Sequence, residues 1–141
     1  MGRAMIEAER ASLAERRPLS PHLTVYRMML TMAMSMAHRI TGVALYLGAA
    51  LLSIYFAGLA AGPGAYSAVS WIVDGVTGKI ILVGFVWALY HHLLGGIRHA
   101  LWDRGLLMGP VGREALAQAT LVGGVILTAL TFYLVTLVRP F

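Results

Sequence analysis

The sequence predicts an all-α integral membrane protein with three transmembrane helices, and three observations support this fold class. Hydrophobic residues make up 59% of the 141 positions and charged residues only 12%, which is more apolar surface than a soluble domain of this size can bury. Three apolar runs, at about 35–61, 79–102 and 114–138, are each long enough to cross a hydrocarbon core of ~30 Å. Stretches that contain Gly and Pro separate these runs, as expected for loops.

Residues 1–28 are predicted to form a cytoplasmic N-terminal arm and docking segment, followed by a three-helix membrane domain over residues 29–141. Five of the 11 basic residues precede Met28. A basic flank of this kind is typical of a segment that sets the orientation of a membrane protein and contacts lipid headgroups. It does not indicate nucleic-acid binding. The end of the arm nearest the first span is polar and contains Pro18, Pro21, His22, Tyr26 and Arg27. This segment could dock on a polar partner or serve as an ordinary anchor at the membrane interface.

The second apolar run contains two adjacent histidines, His91 and His92. An ionisable residue inside a membrane span is costly and usually faces protein, ligand or water. Each helical residue advances ~100°, so one narrow stripe, flanked by Gly95, holds His92, Gly96, His99 and Asp103. Glycines beside a neutral imidazole leave room for a flat ligand and suggest an axial ligand to haem iron. An interhelical hydrogen bond from His92 to a hydroxyl or carbonyl fits this spacing equally well.

A second polar cluster lies at the start of the first span. Its members occupy positions i, i+3, i+4 and i+7 of one helix face: Ser35, His38, Arg39 and Gly42. Arg39 is either a snorkelling anchor or a cation placed for an anionic or carbonyl group. The serine and histidine on the same face favour binding.

This chain contains no cysteine. Thiolate ligands, an iron–sulfur cluster within the chain and cysteine-attached haem are therefore excluded. Any haem must be held non-covalently.

From about Leu116 to Val138, the third span carries four threonines and Gln118 but no charged residue. Threonine hydroxyls in a helix can donate to the backbone one turn earlier. We expect this span to pack against the others and to contribute no chemistry.

Basic residues near the span ends predict the orientation. The N-terminal flank holds six, counting Arg39, and the second loop is assigned three: Arg98, Arg104 and Arg113. The first loop has only Lys79 and the C-terminus only Arg139. The N-terminus and the second loop are therefore expected in the cytoplasm. The two polar clusters then meet on one side of a bacterial inner (cytoplasmic) membrane; the mitochondrial inner membrane is the second choice.

Three motifs together resemble the cytochrome b subunit family of succinate dehydrogenase, the larger membrane anchor of succinate:quinone oxidoreductase. They are Arg-Pro-Leu-Ser-Pro-His from Arg17, Ser-x-x-His-Arg-x-Thr-Gly from Ser35, and His-x-x-x-Gly-x-Arg-His-x-x-x-Asp from His92. The resemblance implies that the three helices pack with a partner anchor subunit around a shared haem b.

The resemblance also implies residue roles. His92 would be an axial ligand of the haem iron, and the second, smaller anchor subunit would supply the other axial histidine. Ser35 and Arg39 would bind ubiquinone, and His38 and Arg39 would lie near the haem propionates. We count His99 with the cofactor-binding residues. His91 lies ~100° from His92 and is assigned to packing, a hydrogen bond or the partner interface.

The function implied is electron transfer from an iron–sulfur subunit to quinone, with a flavoprotein subunit joined through the iron–sulfur subunit. The chain has no catalytic residues in isolation and is expected to be active only as part of succinate dehydrogenase. His99 and Asp103 could relay protons. Two other functions stay open: a haem-free structural or quinone-binding anchor of a related fumarate reductase, and a small proton-coupled membrane transporter that uses His92, His99 and Asp103.

The orientation is testable with a reporter that is active only in the cytoplasm. Fusions before Met28 or within residues 105–112 should be active, because positive flanks stay inside. Fusions within residues 62–70 or after Phe141 should be inactive. The opposite pattern would put Ser35 and Arg39 on the wrong side for a cytoplasmic iron–sulfur partner.

Overall fold

The computed structural model describes residues 2–15 and 26–138, with the backbone alone at positions 14 and 71–73. Five α-helices make up this part of the chain: α1 Gly2–Glu15, α2 Leu30–Ala60, α3 Pro63–Asp74, α4 Val76–Asp103 and α5 Pro110–Val138. Three of them, α2, α4 and α5, are long and apolar enough to cross a membrane. The predicted all-α class with three candidate membrane spans is confirmed.

Each long helix begins about one turn before the predicted span, at Leu30, Val76 and Pro110. Where the hydrocarbon core starts along these helices stays a prediction. The first helix, α1, is exposed along its described length, as expected for a surface helix. Most of the predicted docking segment, residues 16–25, lies outside the described residues.

Residues 62–78, expected to form the first loop and the approach to the second span, contain the helix α3 over Pro63–Asp74, and α4 begins at Val76. Gly62 has φ +104, a backbone conformation that favours glycine, and it separates α3 from α2. Pro63 then takes the first helical position, where its missing N–H costs nothing. The new helix packs back on α2, and a Cβ on Gly58 would lie 2.7 Å from Cγ2 of Val69.

The long helices are apolar outside and polar inside. Only three hydrophobic residues among those described are fully buried, namely Met34, Ala88 and Ala117. The large aliphatic side chains face outward, while five polar or charged residues are buried: Thr41, His91, Arg98, Thr120 and Thr128. This distribution suits a bundle whose surroundings are lipid or another membrane subunit, since lipid tails solvate aliphatic side chains.

Threonines on α5 satisfy their own hydroxyl groups, as predicted. Thr120, Thr128 and Thr131 each donate to the carbonyl four residues earlier, at 2.7–2.9 Å. Thr131 Oγ1 also lies 2.8 Å from the hydroxyl of Tyr90 on α4. These three threonine hydroxyls therefore need no partner from outside the chain.

Glycine allows α2 and α4 to approach each other at one point. A Cβ on Gly95 would overlap the imidazole ring of His38, whereas a Cβ on the next residue, Gly96, would meet nothing within 4 Å. The two adjacent glycines therefore differ in their surroundings: Gly95 is packed against His38, and Gly96 has free space beside it.

Gly95→Ala should lower the stability of the protein by about 1–3 kcal/mol, because the added methyl group forces the His38 ring to move. Gly96→Ala should be neutral or slightly stabilising, because alanine favours a helix over glycine. The midpoint of thermal unfolding in detergent measures both changes. Equal midpoints for the two variants would show that His38 does not lie against Gly95.

Candidate functional site

Two histidines on facing helices form the centre of the candidate site. The rings of His38 on α2 and His92 on α4 are stacked, with centroids 3.9 Å apart and planes 11° apart. Nε2 of His38 lies 3.2 Å from the backbone oxygen of His92, and Nδ1 of His92 lies 3.0 Å from the backbone oxygen of His38. Each imidazole thus bonds the backbone of the other residue. We call this arrangement the histidine pair.

The histidine pair determines which ring nitrogens carry hydrogen. A carbonyl oxygen only accepts, so Nε2 of His38 and Nδ1 of His92 must be the donors. Thr41 supports this arrangement, because its hydroxyl donates to the His38 oxygen at 3.0 Å and lies 3.3 Å from Nδ1 of His92. In its neutral form His92 therefore keeps an unprotonated Nε2 with a free lone pair.

His99 and Gly42 also lie against the histidine pair. The ring of His99 meets that of His38 edge-on at 5.2 Å between centroids, and it meets the Trp102 ring in the same way at 5.4 Å. A Cβ on Gly42 would lie 2.9 Å from Cε1 of His92. The structure therefore brings together His38, His92 and His99.

Ser35, Arg39 and Asp103 stand apart from this cluster. Ser35 is half-buried, and Arg39 and Asp103 are exposed. Within the described part of the chain, no hydrogen bond joins any of the three to the histidine pair.

His91 occupies a different environment from its neighbour. Its side chain is 0% exposed, it lies 5.1 Å from the Trp87 ring between centroids, and it backs onto Gly124 of α5. Neither ring nitrogen has a hydrogen-bond partner among the described residues. Of the three roles predicted for His91, the described contacts support packing.

Arg98 was assigned to the second loop, and this assignment is wrong. It lies inside α4 and is only 2% exposed, because the helix continues to Asp103 and turns Arg98 into the bundle. Its position within the apolar run could have identified it as an intramembrane charge. Arg104 and Arg113, at the junction of α4 and α5, still outnumber Lys79, which lies in the first turn of α4.

Thr41 also belongs to the site, although no role was predicted for it. It is 3% exposed and bonds both partners of the histidine pair. Its spacing of i+3 from His38 on the predicted binding face was the available signal.

Comparisons with known proteins agree with the motifs. Residues 14–136 match the family described as the succinate dehydrogenase/fumarate reductase transmembrane subunit. The chain is 42% identical over 115 residues to the succinate dehydrogenase cytochrome b556 subunit of Paracoccus denitrificans, a match that covers 82% of this chain and 88% of that protein. It is 37% identical over 91 residues to the cytochrome b556 subunit of Rickettsia bellii, covering 64% of this chain and 70% of that protein.

A mitochondrial relative extends the same comparison. The chain is 39% identical over 99 residues to the succinate dehydrogenase cytochrome b560 subunit of Sus scrofa, which covers 67% of this chain and 57% of that protein. The chain thus spans little more than half of the mitochondrial subunit. The family match, by contrast, extends from α1 almost to the end of α5. The chain therefore belongs to the transmembrane-subunit family of succinate dehydrogenase and fumarate reductase, the membrane anchors of respiratory complex II.

Proposed function

We propose that this chain binds a b-type haem and ubiquinone in succinate:quinone oxidoreductase and takes part in electron transfer from the iron–sulfur subunit to quinone. The observation that carries the proposal is the histidine pair. Nδ1 of His92 donates to the His38 carbonyl, and Nε2 keeps its lone pair. A ring hydrogen bond of this kind fixes the tautomer and orientation of histidines that bind metal ions.

The two adjacent histidines differ in the free space near them. Gly96 lies one turn from His92 on an open face, where a Cβ would meet nothing within 4 Å. His91 is enclosed between α4 and α5, and no space for a macrocycle exists there. These contacts support the choice of His92 over His91 as the axial ligand.

The second axial ligand is proposed to come from the smaller anchor subunit. Within this chain, His38 is stacked on His92 at 3.9 Å and its Nε2 donates to the His92 carbonyl, while His99 lies against His38. Neither residue is therefore proposed as the second ligand of the haem iron. No group of three His, Asp or Glu side chains in the described part of the chain is arranged to hold a metal ion.

A bound b-type haem would supply a one-electron redox centre within the membrane. The chain contains no cysteine for an iron–sulfur cluster, so electrons must come from a partner chain. The proposed partners are the iron–sulfur subunit, the flavoprotein attached through it, and membrane lipid. The proposed location is the bacterial inner membrane, with the N-terminus in the cytoplasm.

Ser35 and Arg39 are proposed to bind the quinone. They lie one turn apart on α2, near the histidine pair along the chain. A hydroxyl group and a guanidinium group can both donate hydrogen bonds to quinone carbonyl oxygens. The half-buried position of Ser35 and the exposed position of Arg39 leave both groups available to an outside ligand.

His92→Ala should abolish the bis-histidine b-type bands in the reduced-minus-oxidised spectrum of the purified complex, because one axial nitrogen is lost. His92→Gly should regain the bands when imidazole is added, because the small side chain leaves space for a free ligand. His91→Ala is the matched control and should keep the bands.

The reverse result, with bands lost in His91→Ala and kept in His92→Ala, would show that the assigned ligand is wrong. A wild-type complex without b-type bands would instead favour the haem-free anchor.

Ser35→Ala should slow quinone reduction by roughly fivefold, and Arg39→Leu by roughly ten- to a hundredfold. A lost hydrogen bond costs ~1 kcal/mol when neutral and ~1.5–3 kcal/mol when one partner is charged. Arg39→Lys should recover part of the rate, since an ammonium group lacks the planar fork. Arg113→Leu, at an exposed position on α5, is the control.

The assay compares quinone-linked and soluble-acceptor succinate oxidation in one preparation. The soluble-acceptor rate should be unchanged, because the dicarboxylate site belongs to another subunit. Equal loss of both rates would mean that these residues only hold the complex together.

A further inference from the structure

Arg98 is a buried charge that no described residue of this chain neutralises. Its side chain is 2% exposed, and its Nε and Nη1 atoms are enclosed without a hydrogen-bond partner among the described residues. Arginine keeps its charge in proteins. A buried charge without a partner is strongly destabilising, so a group of opposite charge is needed.

The acidic residues of the chain are poorly placed to supply that group. Of the six, Glu7, Glu9 and Glu15 belong to the N-terminal helix and Asp74 ends α3. Asp103 lies five residues beyond Arg98 on α4, which is ~140° around the helix, and it is exposed. Glu114 lies near the start of α5 and bonds neither enclosed nitrogen of Arg98.

The position of Arg98 relates it to the histidine pair. It follows His92 by six residues, or ~9 Å along the helix axis, and it precedes His99 of the same cluster. Its Cζ lies 5.2 Å from the centre of the Trp102 ring. An aromatic face attracts the cation but carries no net charge. Arg98 lies ~120° around α4 from His92 and ~20° from His91, so its charge is on the side of α4 that faces the bundle, one or two turns from the histidine pair. No described residue balances this charge.

We propose that Arg98 forms an ion pair with a carboxylate that comes from outside this chain. The described residues leave two of the three guanidinium nitrogens, Nε and Nη1, without a hydrogen-bond partner. A carboxylate forms charge-assisted hydrogen bonds with a guanidinium group. Its source is either a propionate of haem bound at His92, which rests on the proposed function, or an acidic side chain of the partner anchor subunit.

The test uses the purified, assembled complex with Arg98→Gln, Arg98→Lys and, as a control, the exposed Arg104→Gln. The readouts are the haem midpoint potential, the haem content and the amount of partner anchor retained. Loss of a cation beside the haem favours the oxidised form. Arg98→Gln should therefore shift the redox equilibrium by about three- to tenfold, where tenfold is 59 mV for one electron. Arg98→Lys should shift it less, and Arg104→Gln should leave it unchanged.

Complexes reconstituted with haem dimethyl ester, which has no free carboxylates, distinguish the two sources. If the propionate is the partner, native haem should bind wild type more tightly than Arg98→Gln, and the ester should remove this difference in affinity, because neither protein can then form the ion pair. If a side chain of the partner anchor is the partner, the ester should weaken haem binding equally in both proteins, and Arg98→Gln should lose the partner anchor more readily in detergent.

The proposal would be overturned if the Arg98→Gln complex had the same haem midpoint potential, haem content and partner-anchor retention as the Arg104→Gln complex. If Arg98→Gln does not assemble, Arg98→Lys decides: an assembled lysine variant supports a requirement for charge, and failure of both variants overturns it in favour of packing. A wild-type complex without haem would contradict the proposed function, and subunit retention would then still test the pair with a protein carboxylate.

Discussion

The reciprocal bonds of the histidine pair are the constraint on which the rest of the site depends. An imidazole N–H away from water needs an acceptor, and at this point each helix offers a backbone carbonyl of the other. A carbonyl oxygen has two lone pairs, so it can accept this bond without losing its bond within the helix. Gly42 and Gly95 allow the close approach, since a side chain at either position would meet an imidazole. The tautomer of His92 is therefore set by contacts within the chain.

The buried polar groups of α5 have hydrogen-bond partners among the described residues, whereas several of those on α4 do not. The α5 threonines Thr120 and Thr128 donate to carbonyl groups of their own helix, so these buried hydroxyl groups need no partner on another helix. The orphaned buried atoms among the described residues all lie on α4, in His91, Arg98 and Trp102. A helix with polar groups that its own chain leaves unpaired is typical of a subunit completed by other molecules. The anchor role of the family agrees with this distribution.

Hydropathy was sufficient to predict the fold class, because three long apolar runs in 141 residues permit few other structures. The same reasoning missed α3, since Gly62 and Pro63 both end one helix and begin another. Helical spacing separated His91 from His92 by ~100° but did not indicate which of them faces α5. Only packing decides that. The charge of Arg98 was counted with the loop because it lies near a span end, and its burial depends on where α4 stops.

The central claim is that His92 presents Nε2 to a haem iron while Nδ1 is held by the His38 carbonyl. A cryo-EM structure of the assembled complex tests it most directly, at a resolution that shows ring orientation. The account predicts iron bonded to Nε2 of His92, with Nδ1 still within hydrogen-bond distance of the His38 oxygen. Iron bonded to His91 or to Nδ1 of His92, or a His92 ring turned away from His38, would contradict it.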